Sequence, residues 1–255
     1  MFVRALLRPP PPNFAEGLKA PGESAADVEL ALEQHHAYCA ALEQCGVSLS
    51  VLSADPRFPD SCFVEDTAIL TPRGAIVTRP GAPTRRGEVD AVEAALRAWF
   101  PEPANIEEPG TVEGGDVCEA EGHYLIGISG RTNEEGARQL ADWLARLGYP
   151  SSTIDIRGGS LLHLKSGLAY IGDGRMLVTS AVPRDEALAP YEQIEVADAE
   201  RYAANCVNVN DRLLIAAGCP QLADRLARDG YELIPLEMSE YRKMNGGISC
   251  LSLRF

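Results

Sequence analysis

Five places along this chain set a polar residue capable of chemistry at the head of a short apolar run, and they return at nearly constant spacing. They are Glu65 in Phe-Val-Glu65-Asp66, Glu113 in Val-Glu113-Gly-Gly-Asp116, His163 in Leu-His163-Leu, Asn205 in Ala-Asn205-Cys-Val and Cys250 in Ser-Cys250-Leu. The separations are 48, 50, 42 and 45 residues. A repeat of that length, carrying several short strands, implies five similar units set radially about an axis, one end of each turned to a common centre.

The remaining pattern fits an α/β chain. Apolar residues at helical spacing predict amphipathic helices over 25–45, 87–100, 133–147 and 220–229, each followed by a strand. Short, often β-branched runs predict strands at 48–52, 68–70, 75–78, 124–128, 168–171, 176–179, 206–209, 213–216, 232–235 and 248–253. No Gly-x-Gly-x-x-Gly opens a helix after a strand, so a dinucleotide-binding sheet is not indicated. With 45% apolar residues in 255, the chain can bury a real core as one large domain or two small ones.

A formal charge of −14 argues against nucleic acid and anionic membranes, which are held by clustered Lys and Arg, and suits a cationic ligand. Acidity also serves simply to keep a protein soluble. The seven cysteines, at 39, 45, 62, 118, 206, 219 and 250, are odd in number and scattered. None shows Cys-x-x-Cys or zinc-type spacing with histidine, so a reduced, cytoplasmic protein with no metal is expected. The N-terminal apolar stretch is too short for a secretory signal, and nowhere do 18 apolar residues run together.

Chemistry concentrates in a few segments. In Asn245-Gly-Gly-Ile-Ser-Cys250-Leu-Ser-Leu-Arg-Phe255 a thiol stands at the end of a glycine-loosened turn before a short strand, a candidate nucleophile. Such a thiol needs an acid/base histidine and an orienting carboxylate, because little of it is thiolate near neutral pH. His163, read as sharing one strand face with Lys165, is the best acid/base candidate, since His35, His36 and His123 fall in a helix or a loop. Glu113 is the carboxylate. Glu65 and Asp66 enter an apolar run; on a strand only one of them can face a given site, and burial would call for a guanidinium partner. Arg85, Arg86 and Arg131 stand where loops run into helices, a setting that favours anions. Each of these has an ordinary structural alternative: a packed histidine, a solvated carboxylate edge, solvated loop arginines.

Taken together, seven segments in order along the chain resemble dimethylarginine dimethylaminohydrolase, particularly its short bacterial form. They are Arg57-Phe-Pro-Asp60-Ser-Cys-Phe-Val-Glu65-Asp66, Arg79-Pro-Gly-Ala-Pro-Thr-Arg85-Arg-Gly-Glu88, Gly110-Thr-Val-Glu113-Gly-Gly-Asp116, Gly130-Arg131-Thr-Asn-Glu-Glu-Gly136, His163-Leu-Lys-Ser-Gly, Tyr202-Ala-Ala-Asn-Cys206 and Gly246-Gly-Ile-Ser-Cys250-Leu-Ser-Leu-Arg-Phe. The resemblance implies a single-domain five-bladed α/β propeller over 1–255 and hydrolysis of Nω-methylated arginine to citrulline and an amine, without cofactor. It implies Cys250 as nucleophile, His163 as acid/base, and Glu113 with Asp66, beside Glu65, on the guanidinium. Arg85 and Arg131 would grip the substrate carboxylate; Asp60, with carbonyls of Leu18 and Met244, would meet the α-amino group.

The partner so implied is a small cationic amino acid, and a homodimer is one option for assembly. The related alternatives are a hydrolase of free arginine or agmatine, an amidinotransferase, or a non-catalytic arginine-binding module. Free-arginine deiminases usually carry an inserted helical region for which 255 residues leave no room. A second cysteine that adjoins the nucleophile in some relatives is missing here, and Cys62 and Cys118 read as small apolar fillers.

Overall fold

The repeat is built as strand, strand, crossover, strand. The structure, a computed structural model, describes residues 1–20 and 22–255. Among them are five three-stranded sheets. In four of the sheets, in chain order, the first strand pairs antiparallel with the second and the second parallel with the third across a crossover; in the fifth the last strand of the chain takes the place of the first. The residues fall into two compact units, Met1–Val64 with Asn205–Phe255, and Glu65–Ala204.

In the first unit, β1 (Arg4–Leu7) runs parallel to β2 (Ser48–Val51) through the crossover helix α1 (Val28–Gln44). Asp27 caps α1, its carboxylate accepting from the Glu29 and Leu30 N–H groups at 3.0 and 3.2 Å, so two orphan donors of the first turn are satisfied. The last strand of the chain, β15 (Ser252–Arg254), returns antiparallel to β1 and completes that sheet. The other sheet of this unit comprises β12 (Val207–Val209), β13 (Arg212–Ala216) and β14 (Glu232–Leu236), with α4 (Pro220–Arg228) as crossover. A short helix, α5 (Ser239–Lys243), follows. Its Tyr241 stacks with Phe14 and Phe63 at centroid distances of 5.5 and 6.1 Å, and its hydroxyl donates to the Ala31 carbonyl.

The second unit holds three sheets. They are β3 (Ala68–Thr71), β4 (Gly74–Val77) and β5 (Ala104–Asn105); β6 (Val117–Ala120), β7 (His123–Ile128) and β8 (Ser151–Asp155); and β9 (Leu168–Gly172), β10 (Arg175–Thr179) and β11 (Glu192–Val196). The first two cross over through α2 (Val89–Leu96) and α3 (Glu134–Arg146), the third through a 3-10 turn, Glu186–Leu188. Ala137, Leu140 and Leu144 of α3 bury against Tyr124 and Ile126 of β7 and Ile69 and Ile76 of the neighbouring sheet. A second cluster joins Leu125, Ile154, Leu168 and Met176. Each buried Leu, Ile or Met among them contributes roughly 1.5–3 kcal/mol by leaving water.

Hairpin turns explain why these short strands pair in register. Glu121-Gly122, Asp173-Gly174 and Asn210-Asp211 each place two successive residues at positive φ, between 50° and 80°. That is the backbone of the turn whose twist matches two antiparallel strands, and Gly, Asn and Asp adopt it at least cost.

Just before the first strand of each sheet lies a 3-10 turn: Val64–Thr67 before β3, Gly114–Asp116 before β6, Leu164–Ser166 before β9, Asp198–Ala204 before β12 and Ser249–Leu251 before β15. Glu65 and Cys250 lie within their turns, Glu113 and His163 cap theirs, and Asn205 follows its own.

The four predicted helices are present, the one at 87–100 shortened to α2 and preceded by a 3-10 stretch, Pro83–Glu88. Several expectations need correction. His163 is not on a strand, and Glu65 and Asp66 share a tight turn in which both are buried. His123 opens β7, and the predicted strand 248–253 divides into a 3-10 turn and β15. Strands β1, β5, β6, β8 and β11 and helix α5 were not anticipated. Three of these strands are the third members of their sheets, whose exposed polar residues blur the apolar signal.

Candidate active site

In the second unit three turns bring together a carboxylate, a second carboxylate and an imidazole. Donor atoms of Asp66, Glu113 and His163 all lie within 4.8 Å of one another, and all three residues are buried. His163 Nε2 stands 2.7 Å from Glu113 Oε2. The other oxygen of Glu113 accepts from the Ala82 N–H at 3.0 Å and from Arg131 Nη1 at 3.5 Å. Asp66 accepts from the Gly115 N–H at 2.8 Å and from Arg85 Nη1 at 2.6 Å. Gly115 must be glycine for this arrangement, because a Cβ there would meet His163 Nδ1 at 2.7 Å.

Around this centre the charges are paired. Arg85, buried, also donates from Nε and Nη2 to Glu88. Glu65 Oε1 meets Lys165 Nζ at 2.6 Å. Asp116, fully buried, accepts from the Ser129 and Thr132 hydroxyls at 2.6 and 2.7 Å and from the Leu164 N–H at 2.9 Å. One carboxylate thus ties the turn after His163 to the turn that carries Arg131. The Ser129 hydroxyl in turn accepts from the Arg131 N–H at 2.9 Å.

Electrostatics follow from this geometry. Burial pulls the His163 pKa down, but Asp66, the hydrogen bond to Glu113, and the charges of Asp116 and Glu113 outweigh it and lift the group to about 9. For Glu113, burial works to raise the pKa, and the His163 hydrogen bond and charge, with Arg85 and Arg131, hold it below the usual carboxylate range. The pair is therefore an imidazolium with a carboxylate at neutral pH. Asp66, Glu113 and His163 are spaced closely enough to surround a cation. A metal would have to displace the His163 proton and compete with the donors that both Asp66 oxygens already accept, however. The donor set therefore fits an organic cation better than a metal.

The first unit carries the remaining candidates. Cys250 is buried in the turn Ser249–Leu251, and its Sγ accepts from the Gly247 N–H at 3.4 Å. Asp60, also buried, accepts from the Leu18 N–H through both oxygens, at 3.0 and 3.2 Å. Gly17 is required beside it, since a Cβ there would lie 2.4 Å from Asp60 Oδ1. The Leu18 carbonyl accepts from the Asn245 side chain at 3.3 Å, and Met244 is buried just before Asn245. Asn245 holds a positive φ of 58°, a conformation that asparagine tolerates.

The structure thus groups Glu65, Asp66, Arg85, Glu113, Arg131 and His163 within one unit, and Leu18, Asp60, Met244 and Cys250 within the other. Sequence reasoning missed the supporting residues Glu88, Asp116, Ser129, Thr132 and Lys165. Asp116 was visible in Glu113-Gly-Gly-Asp116; its hydroxyl partners carried no signal.

Comparison with known proteins narrows the class. A cysteine-to-serine mutant of Pseudomonas aeruginosa DDAH complexed with citrulline matches the whole chain with a TM-score of 0.97 at 42% identity. A histidine-to-glycine dimethylarginine dimethylaminohydrolase, as an adduct with S-methyl-L-thiocitrulline, matches at 0.96, again over both whole chains at 42% identity. The N-terminal domain of ArgZ, a cyanobacterial arginine dihydrolase, shares the fold at 0.88 and 20% identity, over 99% of this chain and 97% of that one. The fold and the site therefore define a hydrolase of the five-bladed, propeller-like α/β class.

Within that class the sequence is specific. A family model described as "N,N dimethylarginine dimethylhydrolase, eukaryotic" matches residues 19–253. The N(G),N(G)-dimethylarginine dimethylaminohydrolase of Pseudomonas aeruginosa is 43% identical over 256 residues, covering 100% of both chains. That of Streptomyces coelicolor is 35% identical over 98% of this chain and 96% of its own. The chain belongs to the dimethylarginine dimethylaminohydrolase family.

Proposed function

We propose that this chain hydrolyses Nω-methylated L-arginine, asymmetric dimethylarginine and monomethylarginine among them, to L-citrulline and dimethylamine or methylamine. The observation that carries the reading is the buried His163–Glu113 pair with Asp66 beside it, a pre-set acid next to two carboxylates able to hold a planar cation. Membership of the family supports it.

In this reading Cys250 gives up its proton to solvent as the cationic substrate binds, its Sγ thiolate attacks the guanidinium carbon, and the C–N bond breaks as the departing methylated nitrogen takes a proton from His163. The resulting S-alkylthiouronium is then attacked by water, which His163, now neutral, deprotonates; the C–S bond breaks, citrulline leaves, and the Cys250 thiolate and the His163 imidazolium are restored. The substrate cation and the imidazolium share one set of carboxylates. Arrival of the guanidinium therefore lowers the His163 pKa by like-charge repulsion, which makes it the better acid when it is needed. Glu113 and Asp66, with Glu65 adjacent, keep the guanidinium flat so that its carbon faces sulfur.

Arg131 and Arg85 supply positive charge for the substrate carboxylate. Arg131 is the more accessible, 21% exposed against 5%, and Arg85, already holding Asp66 and Glu88, acts chiefly through its charge. The α-amino group meets Asp60 and the carbonyls of Leu18 and Met244. We read the chain as one catalytic domain over 1–255. The chemistry takes a monomer or a homodimer alike, because no proposed group comes from a second copy. Among the described residues no helix is long and apolar enough to cross a membrane, and none of the seven cysteines is joined in a disulfide; a reducing, cytoplasmic setting is part of the reading.

The test is citrulline release from a panel of arginine, monomethylarginine, asymmetric and symmetric dimethylarginine, and agmatine. Turnover of the monomethyl and asymmetric dimethyl substrates, with little from the others, is expected. Equal or better turnover of agmatine or free arginine would replace this reading with that of a related guanidine hydrolase.

A further inference from the structure

Of the five residues that mark the repeat, four enter the proposed chemistry or adjoin it. Asn205 does not. It follows the 3-10 turn Asp198–Ala204, is 8% exposed, and directs its side-chain amide at the segment that carries Cys250. Its Nδ2 donates to Ser249 Oγ at 3.0 Å and its Oδ1 accepts from the Ser249 N–H at 2.9 Å. Both halves of the amide are therefore spent on the residue immediately before the thiol. Gly247 packs against the same amide so closely that a Cβ would fall 2.3 Å from Asn205 Oδ1. The Gly247 N–H, in turn, donates to Cys250 Sγ at 3.4 Å, while the Gly247 carbonyl accepts from the Cys250 N–H at 3.2 Å.

We infer that Asn205 is a positioning residue for the nucleophile: its amide clamps the Gly247–Leu251 turn and so fixes where Cys250 Sγ lies. The inference rests on Cys250 being the nucleophile. A bidentate amide suits the task because the turn is too short to hold itself. A 3-10 turn of three residues closes few hydrogen bonds of its own, and its backbone N–H at Ser249 would otherwise need another acceptor. Gly247 belongs to the same device: glycine is the residue that lets the clamp approach while keeping its own N–H aimed at sulfur. The side chain that recurs in register with Glu65, Glu113 and His163 thus works on its neighbour in the repeat.

A misplaced thiol remains a thiol, and that separates positioning from loss of structure. Asn205→Ala should lower kcat about ten- to a hundredfold, the usual cost of a displacement near 1 Å at a reacting atom, with KM changed by less than about threefold. Iodoacetamide should still alkylate Cys250 at a rate near wild type, read by mass spectrometry of the Cys250 peptide, because that reagent needs no aligned substrate. Gly247→Ala should show the same split. In the Asn205→Ala background it should add little further loss, since the two atoms it meets most closely, Oδ1 and Cγ, are gone; such non-additivity marks a shared device.

Ser249→Ala, which removes only the Oγ half of the clamp, should show the same signature in weaker form and serves as the readout should the larger changes fail to fold. Wild-type kcat in Asn205→Ala, or in Ser249→Ala where that is the folded variant, overturns the inference. So does a fall in kcat matched by equal loss of Cys250 alkylation or of folded protein, as does strict additivity of Asn205→Ala and Gly247→Ala. If instead Cys250→Ser retains turnover, the assignment of the nucleophile fails, a result distinct from Asn205 being dispensable.

Discussion

Glu113→Gln tests the electrostatic logic of the site most directly. The substitution keeps size and one acceptor oxygen but removes the charge that faces His163 Nε2 across 2.7 Å. In the native protein the His163 pKa stands at about 9 against an ordinary 6.5, held up against burial by Asp66, the Glu113 hydrogen bond, Asp116 and the Glu113 charge. At about 1.4 kcal/mol per pKa unit, that elevation corresponds to about 3 kcal/mol in favour of the imidazolium. Loss of one close opposite charge ordinarily moves a pKa by about 1–3 units, so His163 in Glu113→Gln should titrate roughly between pH 6 and 8.

The same elevation predicts the sign of a stability change. Where the folded pKa exceeds the unfolded one, the stabilisation is complete below about 6.5 and is lost as pH rises through about 9. Native stability from this group should therefore decline by at most about 3 kcal/mol across that window, and in Glu113→Gln the decline should be smaller and finished at lower pH. Proton NMR of the His163 Cε1–H gives the pKa, and denaturant melts from pH 6 to 10 give the slope. An unchanged His163 pKa in the variant, or native stability that rises through this window because of His163, would refute the reasoning.

Other outcomes follow from the same site. Cys250→Ser should abolish citrulline release while leaving the fold intact, because a hydroxyl lacks the accessible anion; retention of more than a few per cent of activity would show another nucleophile at work. Arg131→Ala should weaken methylarginine binding by about thirtyfold to several-thousandfold, the cost of about 2–5 kcal/mol for breaking a charge pair, and should narrow the gap between methylarginine and methylated agmatine. An undiminished preference for the carboxylated substrate would remove Arg131 from that role. EDTA should leave the rate unchanged, while zinc should inhibit by capturing the Cys250 thiolate; activity lost to chelator and restored by metal would contradict the cofactor-free reading.

How much of this was legible beforehand depends on what each feature rests upon. The near-constant return of Glu65, Glu113, His163, Asn205 and Cys250 could be read from the chain, because a repeated unit must place equivalent residues at equivalent distances along it. The amphipathic faces of α1, α3 and α4 were legible for the same local reason: burial of one helix side leaves a 3.6-residue period. Third strands such as β8 and β11 were not, since they are exposed edges whose place is decided by parallel pairing with β7 and β10 after a crossover.

Among the site residues, the chain by itself set which chemical groups are present and that they stand where strands begin. It could not set their conformation. His163, Glu65 and Asp66 looked like strand residues because alternation and apolar flanks are the same for a strand and for a 3-10 turn feeding one. Nor could it set their charge. Glu113 and His163 are 50 residues apart, and only the folded chain brings them to 2.7 Å, removes their water, and sets Asp66 from another turn, and Asp116 from the turn that Glu113 caps, beside them. A pKa is the balance of burial against neighbouring charge, and both are properties of three-dimensional distance, which no single stretch of sequence contains.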